Sequence, residues 1–191
     1  MYLHPLPADA PEAPVTQLPG ELSVTGIVHQ GIDWAAPIRT PVRACTAGQV
    51  IARRNGVSDN LTGDWQTGDP SNSGYGNFVL LEHDDGGQSR YAHFTPGSVT
   101  VELSDRVERG QVIGAVGSSG LSSGPHLHFE LRLPPDLTRL FDPRPLLTFE
   151  EEENMTDRER ADLLDGLLKA NLILMQRIRA LLNGELAKYG G

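Results

Sequence analysis

The chain has one cysteine, no cluster of lysine and arginine, no long uninterrupted apolar run and no basic start followed by an apolar stretch. Each absence excludes something. Cys45 alone forms no internal disulfide, and its setting, Val42-Arg-Ala-Cys-Thr-Ala47, suits a small buried thiol rather than a nucleophile. A formal net charge of -9 over 191 residues argues against duplex nucleic acid or an anionic membrane surface as partner, because both recruit clustered Lys and Arg. The opening residues, with Pro5, Pro7, Pro11, Pro14 and Pro19, do not read as a secretory signal. Near the C-terminus a leucine-rich stretch is interrupted by Lys169, Arg177 and Arg179, so no membrane insertion is expected.

The 38% apolar content is enough for a core, and the length allows one ordinary domain plus an appendage. Three regions are expected. Residues 1–20 read as a Pro-rich extended arm, by default a flexible tail. Residues 21–148 alternate short apolar runs with Gly, Pro, Asn and Asp turns, the pattern of a mainly β domain. Strands are expected over Val42–Arg53, Asn77–Glu82, Ser89–Phe94, Gln111–Val116 and His126–Leu133, with Asp84-Asp-Gly-Gly87 as a hairpin turn. The polar stretch from Asn55 to Tyr75, including Trp65, is too long for a tight turn and suits either a groove wall or a surface excursion.

Residues 149–191 form an acidic linker, Glu150 to Glu153, and then an amphipathic helix. Thr156 with Glu159 makes a capping box, and apolar positions recur at helical spacing to about Asn183. In heptads, Asn171 falls among Leu164, Leu167, Leu174, Ile178 and Leu181, where a buried Asn fixes register and oligomer state. A second row, including Leu168, Leu172 and Met175, widens the apolar face. Homo-oligomerisation or docking of an assembly partner through this helix is the expectation, and packing on the β domain is the alternative.

The chemistry concentrates in Gly124-Pro-His-Leu-His-Phe-Glu130. On a strand His126 and His128 share a face, so one metal ion could engage both, or one ring could bind metal while the other moves protons. Upstream, His29 and Asp33 are an even number apart and share a face if the segment is extended. A catalytic zinc site uses three protein ligands and keeps a position for water. His29, Asp33 and one of the two later histidines would complete that set. His93 ends another expected strand. Each histidine alone has a structural explanation, but four of the six fall in compact β-rich segments near glycines, which one shared site explains better.

These segments occur in a recognisable order. His29-Gln-Gly-Ile-Asp33, Gly74-Tyr-Gly-Asn77, Tyr91-Ala-His93, Gly110-Gln-Val-Ile-Gly114 and Gly124-Pro-His-Leu-His-Phe-Glu130 together resemble the lysostaphin-like (LytM-type) zinc endopeptidases of bacterial peptidoglycan, over residues 26–145. The resemblance implies a compact antiparallel β-sheet fold with a groove formed by loops. It implies that His29, Asp33 and His128 bind Zn2+ and that His93 and His126 are catalytic. The implied substrate is a peptide bond in the stem or cross-bridge of peptidoglycan. Zinc in such a set lowers the pKa of its water from about 15.7 toward roughly 7, while the two catalytic histidines handle protons and the developing oxyanion.

Departures accompany the matches. Only about 28 residues precede His29, where relatives commonly carry a longer glycine- and arginine-containing lead-in. With no signal peptide, a Pro-rich arm and an assembly helix, the expectation is a protein made in the cytoplasm that acts on the wall after delivery, as a phage or virion-associated lysin. The readings from other classes are a non-catalytic module that binds wall peptide or regulates an amidase, and a structural component of a phage-like assembly.

Overall fold

The computed structural model describes residues 2–149, except 9, 11, 12, 23–25, 63 and 65–67, and beyond them only Asp165. Residues 1–149 and 150–191 are separate compact units. The expected C-terminal helix and its self-association lie outside the described residues, Asp165 alone being helical and exposed there. Trp65 lies outside them too.

The first unit is mainly β and antiparallel. Its strands in chain order are β1 (Tyr2–Leu3), β2 (Val15–Gln17), β3 (Ile32–Ala35), β4 (Pro41–Arg43), β5 (Gly48–Arg54), β6 (Phe78–His83), β7 (Gln88–Ala92), β8 (Arg106–Val107), β9 (Val112–Ala115), β10 (His126–Arg132) and β11 (Leu147–Thr148). Seven of them form one sheet in the order β2-β3-β10-β7-β6-β5-β8, while β4 pairs with β9 and β1 with β11. The turn at residues 84–87 joins β6 to β7 as a hairpin. Gly86 has φ 81° and Asp85 Oδ1 accepts the Gly87 N–H at 2.8 Å, both suited to a tight reversal.

Strand β10 is central, between β3 and β7, and its alternation divides the molecule's labour. Leu127, Phe129 and Leu131 face the core, where the Phe129 ring meets Tyr91 at 5.2 Å and Trp34 at 5.9 Å. Full burial of such a side chain contributes roughly 1.5–3 kcal/mol. His126, His128, Glu130 and Arg132 take the opposite face, as a period of two requires. The register sets His128 across from Asp33 of β3 on one side and Ala92 of β7 on the other.

Two expectations are corrected. The run Val42–Arg53 is not one strand: it breaks at residues 44–47, and its halves enter different sheets. Cys45 sits at that corner, fully buried, with its N–H donating to the Tyr91 hydroxyl at 2.8 Å. An apolar run does not announce which partner each half will pair with. The Pro-rich opening is extended but not a free tail. It contributes β1 and β2 at sheet edges, where proline is tolerated, and buries Leu3 and Leu6 to 2% and 1% exposure.

Candidate metal and active site

Gly31 brings the first two residues of the site to β10. A Cβ there would lie 2.3 Å from the Phe129 carbonyl oxygen, so only glycine lets the chain between His29 and Asp33 approach the strand this closely. His29 Nε2 then stands 3.0 Å from His128 Nδ1 and 3.1 Å from Asp33 Oδ1. The third side, His128 Nδ1 to Asp33 Oδ1, is 2.8 Å. Three donor atoms meet at one point.

The outer nitrogens determine what these atoms present. His29 Nδ1–H donates to the Leu18 carbonyl at 3.2 Å, and His128 Nε2–H donates to Glu130 Oε1 at 3.2 Å. With those protons placed, His29 Nε2 and His128 Nδ1 both turn lone pairs toward the Asp33 carboxylate. Lone pairs about 3 Å apart repel unless a cation joins them. Tetrahedral zinc with bonds of about 2.0–2.2 Å separates its ligand atoms by roughly 3.3 Å, close to the spacing seen. The donor set of two imidazoles and a carboxylate therefore fits zinc.

Electrostatics favour positive charge at the same point: with protons rather than a metal ion on His29 Nε2 and His128 Nδ1, both rings donate to Asp33. Burial alone would raise the Asp33 carboxyl, but hydrogen bonds from His128 and His29 outweigh it and hold the group well below the usual carboxylate range. For His128 burial works downward, and hydrogen bonds to Asp33 and Glu130 overcome it, pushing the ring above an ordinary histidine.

His93 and His126 stand beside this set with their rings 4.5 Å apart. His126 Nε2 is 3.6 Å from Asp33 Oδ2, outside the three-atom cluster. His93 Nδ1–H donates to the Ser119 carbonyl at 2.7 Å, and His126 Nδ1–H donates to the Gly124 carbonyl at 2.8 Å. Each Nε2 is left as an acceptor. Burial lowers both pKa values, and for His93 the neighbouring His126 and His128 lower it further. Both rings are neutral at pH 7.

The loops hold this half in place. His93 has φ 62°, an uncommon conformation for a residue with a Cβ and one that clusters at functional sites. Gly76, at φ 63°, lets its turn touch the 117–121 segment, since a Cβ there would meet Ser119 backbone at 2.4 Å. Asn77 is fully buried; its amide donates to the Val57 and Phe94 carbonyls at 2.7 and 2.9 Å. From the long loop, Asp59 Oδ1 accepts the Ser118 N–H at 2.8 Å and Asn60 donates to the Ser122 carbonyl at 3.1 Å. So Asp59 and Asn60 brace the segment that orients both rings. The groove over the site, of about 700 Å³, is also lined from this loop by Pro70, Gly74 and Tyr75 and from the other side by Ile27 and Val28.

All five residues singled out in the sequence thus lie together. Sequence reasoning did not assign roles to Glu130, Tyr75, Asn77 or the Ser119 and Gly124 carbonyls. For Glu130 the signal was present, because it continues the two-residue alternation of His126 and His128.

Comparison with known proteins agrees with this geometry. Residues 27–140 match Peptidase family M23. The chain belongs to that family. Among curated M23 relatives, DD-carboxypeptidase/endopeptidase Mpg of Neisseria meningitidis serogroup B is 36% identical over 147 residues, covering 74% of this chain and 30% of that protein. Lysostaphin of Staphylococcus simulans is 34% identical over 113 residues, covering 59% of this chain and 20% of that protein. The matches thus span less than a third of these relatives' own lengths. The crystallised catalytic domain of S. simulans lysostaphin superposes with a TM-score of 0.54 at 30% identity, covering 70% of this chain and 91% of that one. A zinc-containing peptidase from Vibrio cholerae gives 0.52 at 30% identity, covering 75% and 41%.

Proposed function

We propose that this M23 protein is a zinc-dependent endopeptidase that hydrolyses peptide bonds in the stem or cross-bridge of bacterial peptidoglycan. One observation carries the reading: a three-donor cluster of His29, Asp33 and His128 opens on the same groove as two neutral histidines, His93 and His126. The names of the relatives, among them DD-endopeptidase ShyA of Vibrio cholerae and glycyl-glycine endopeptidase ALE-1 of Staphylococcus capitis, point to the same substrate class.

His29 Nε2, His128 Nδ1 and Asp33 would hold the ion. Zinc so bound supplies an acidified water and a Lewis acid for the peptide carbonyl. His126 and His93 each present an Nε2 lone pair; one of them takes up the proton released on attack, and the imidazolium so formed donates to the developing oxyanion and returns the proton to the leaving amine. Ser119 and Gly124 carbonyls keep both rings in the tautomer this requires. The groove walls of Ile27, Val28, Pro70 and Tyr75 flank the site and admit an extended peptide with small side chains.

Purified protein is expected to bind about one zinc per chain and to release soluble muropeptides from sacculi in a chelator-sensitive manner. Metal-loaded protein that leaves several wall types intact, with His126→Ala indistinguishable from wild type, sinks the enzyme reading. We further propose self-association through residues 150–191; an equal number of chains per assembly, by ultracentrifugation of the full chain and of one ending at Glu150, overturns it.

A further inference from the structure

Beyond the two histidines, the site face of β10 continues to Glu130 and Arg132. Glu130 is 1% exposed, and a carboxylate so placed costs several kcal/mol unless its oxygens are satisfied. Here they are saturated. Oε1 accepts from the Tyr75 hydroxyl at 2.5 Å, from His128 Nε2 at 3.2 Å and from Arg90 at 3.4 Å. Oε2 accepts from Arg132 Nε at 3.0 Å and Nη2 at 2.9 Å.

The grip is itself gripped. Arg132 also donates to the Leu137 carbonyl at 3.1 Å, which fixes its fork. Arg90, across from Glu130 in the β7 to β10 register, lies 4.2 Å over the Tyr75 ring in a cation–π contact. Two arginines would satisfy a purely structural carboxylate. Instead Oε1 is shared with the one nitrogen of His128 that faces away from His29 and Asp33.

We infer that Glu130, clamped by Tyr75, Arg90 and Arg132, is a positioning residue that fixes His128 as the Nε2–H tautomer and aims its Nδ1 at the metal. The inference rests on the zinc reading given above but not on wall hydrolysis. Carboxylates behind metal-binding histidines commonly set ring orientation and ligand basicity, and their loss costs about 10- to 100-fold in affinity. Tyr75 also lines the groove, so the clamp joins the ligand shell to the substrate wall.

Zinc affinity of the folded full-length chain, read by competition with a chromophoric chelator, tests the inference. Glu130→Gln keeps the shape and removes the charge, and its expected effect is a 10- to 100-fold loss of zinc affinity. In the zinc-loaded variant, the ¹⁵N shift of the protonated His128 Nε2 is expected to move toward that of a weakly hydrogen-bonded N–H, because a neutral amide oxygen accepts less strongly than a carboxylate. A merely structural Glu130 would lower thermal stability yet leave affinity and ring shifts at wild-type values, and that result overturns the inference. If Glu130→Gln does not fold, Tyr75→Phe decides, since it removes one donor without changing volume. Its expected loss is about fivefold, and unchanged affinity overturns the inference. Wild-type protein that binds zinc but leaves wall peptides whole sinks the endopeptidase reading alone.

Discussion

His126 and His128 stand two residues apart on one face of one strand, yet they belong to unlike halves of the groove. His128 stands between two carboxylates, Asp33 at 2.8 Å from Nδ1 and Glu130 at 3.2 Å behind Nε2. Behind His126 and its neighbour His93 lie backbone carbonyls, of Gly124 at 2.8 Å and Ser119 at 2.7 Å. Carboxylates overcome burial and favour a cation on the ring side they face, whereas a carbonyl satisfies one N–H and leaves burial to keep the ring neutral. What stands behind a histidine therefore decides whether it suits a metal or a proton.

Removing one ring from each half gives the largest contrast. His128→Ala is expected to lose stoichiometric zinc and to cut wall hydrolysis by at least about 10³-fold, the scale of a metal's charge stabilisation. His126→Ala is expected to keep its zinc and lose about 10²- to 10⁴-fold in turnover, the usual share of a proton-transfer group. Metal content after dialysis and turnover on defined wall peptides measure both. Loss of zinc in His126→Ala would break the comparison.

A titration sharpens it next. By NMR, His93 and His126 are expected to be less than half protonated at pH 6.5, where an unperturbed histidine is half protonated. Their folded pKa values lie below 6.5, so below that pH the unfolded chain binds more protons than the folded one. Stability therefore falls as pH drops from about 6.5 toward the folded values, and neither ring adds to the pH dependence well above it. A titration midpoint at or above pH 6.5 for either ring would mean that burial is not what separates the halves.

The smallest effect is expected from Ser122, whose hydroxyl lies 3.3 Å from His126 Nδ1 while the Gly124 carbonyl holds the ring more closely. Ser122→Ala should reduce turnover by less than about fivefold, one net hydrogen bond, with zinc content unchanged. A loss as large as that of His126→Ala would show that the hydroxyl, not the carbonyl, sets the ring.

Much of the site was legible in the sequence because strand alternation is local. The same period that placed His126 with His128 also places Glu130 and Arg132, although their roles depend on Tyr75 and Arg90, brought in from separate strands and turns. The carbonyls that orient the two neutral histidines left no trace, since every residue carries one. Local apolarity likewise made Val42–Arg53 look continuous, and proline made the opening arm look free, because neither signal reports which surface the segment will meet.

The sequence by itself determined the side-chain chemistry, the alternation along β10 and the tight reversal at 84–87, all set by neighbours within a few residues. Tertiary structure alone decided that Asp33, 95 residues from His128, would share one point with it, and that Ser119 rather than a carboxylate would stand behind His93. Those outcomes depend on register and on close approaches such as that of Gly31 to Phe129, which form only when distant strands pack.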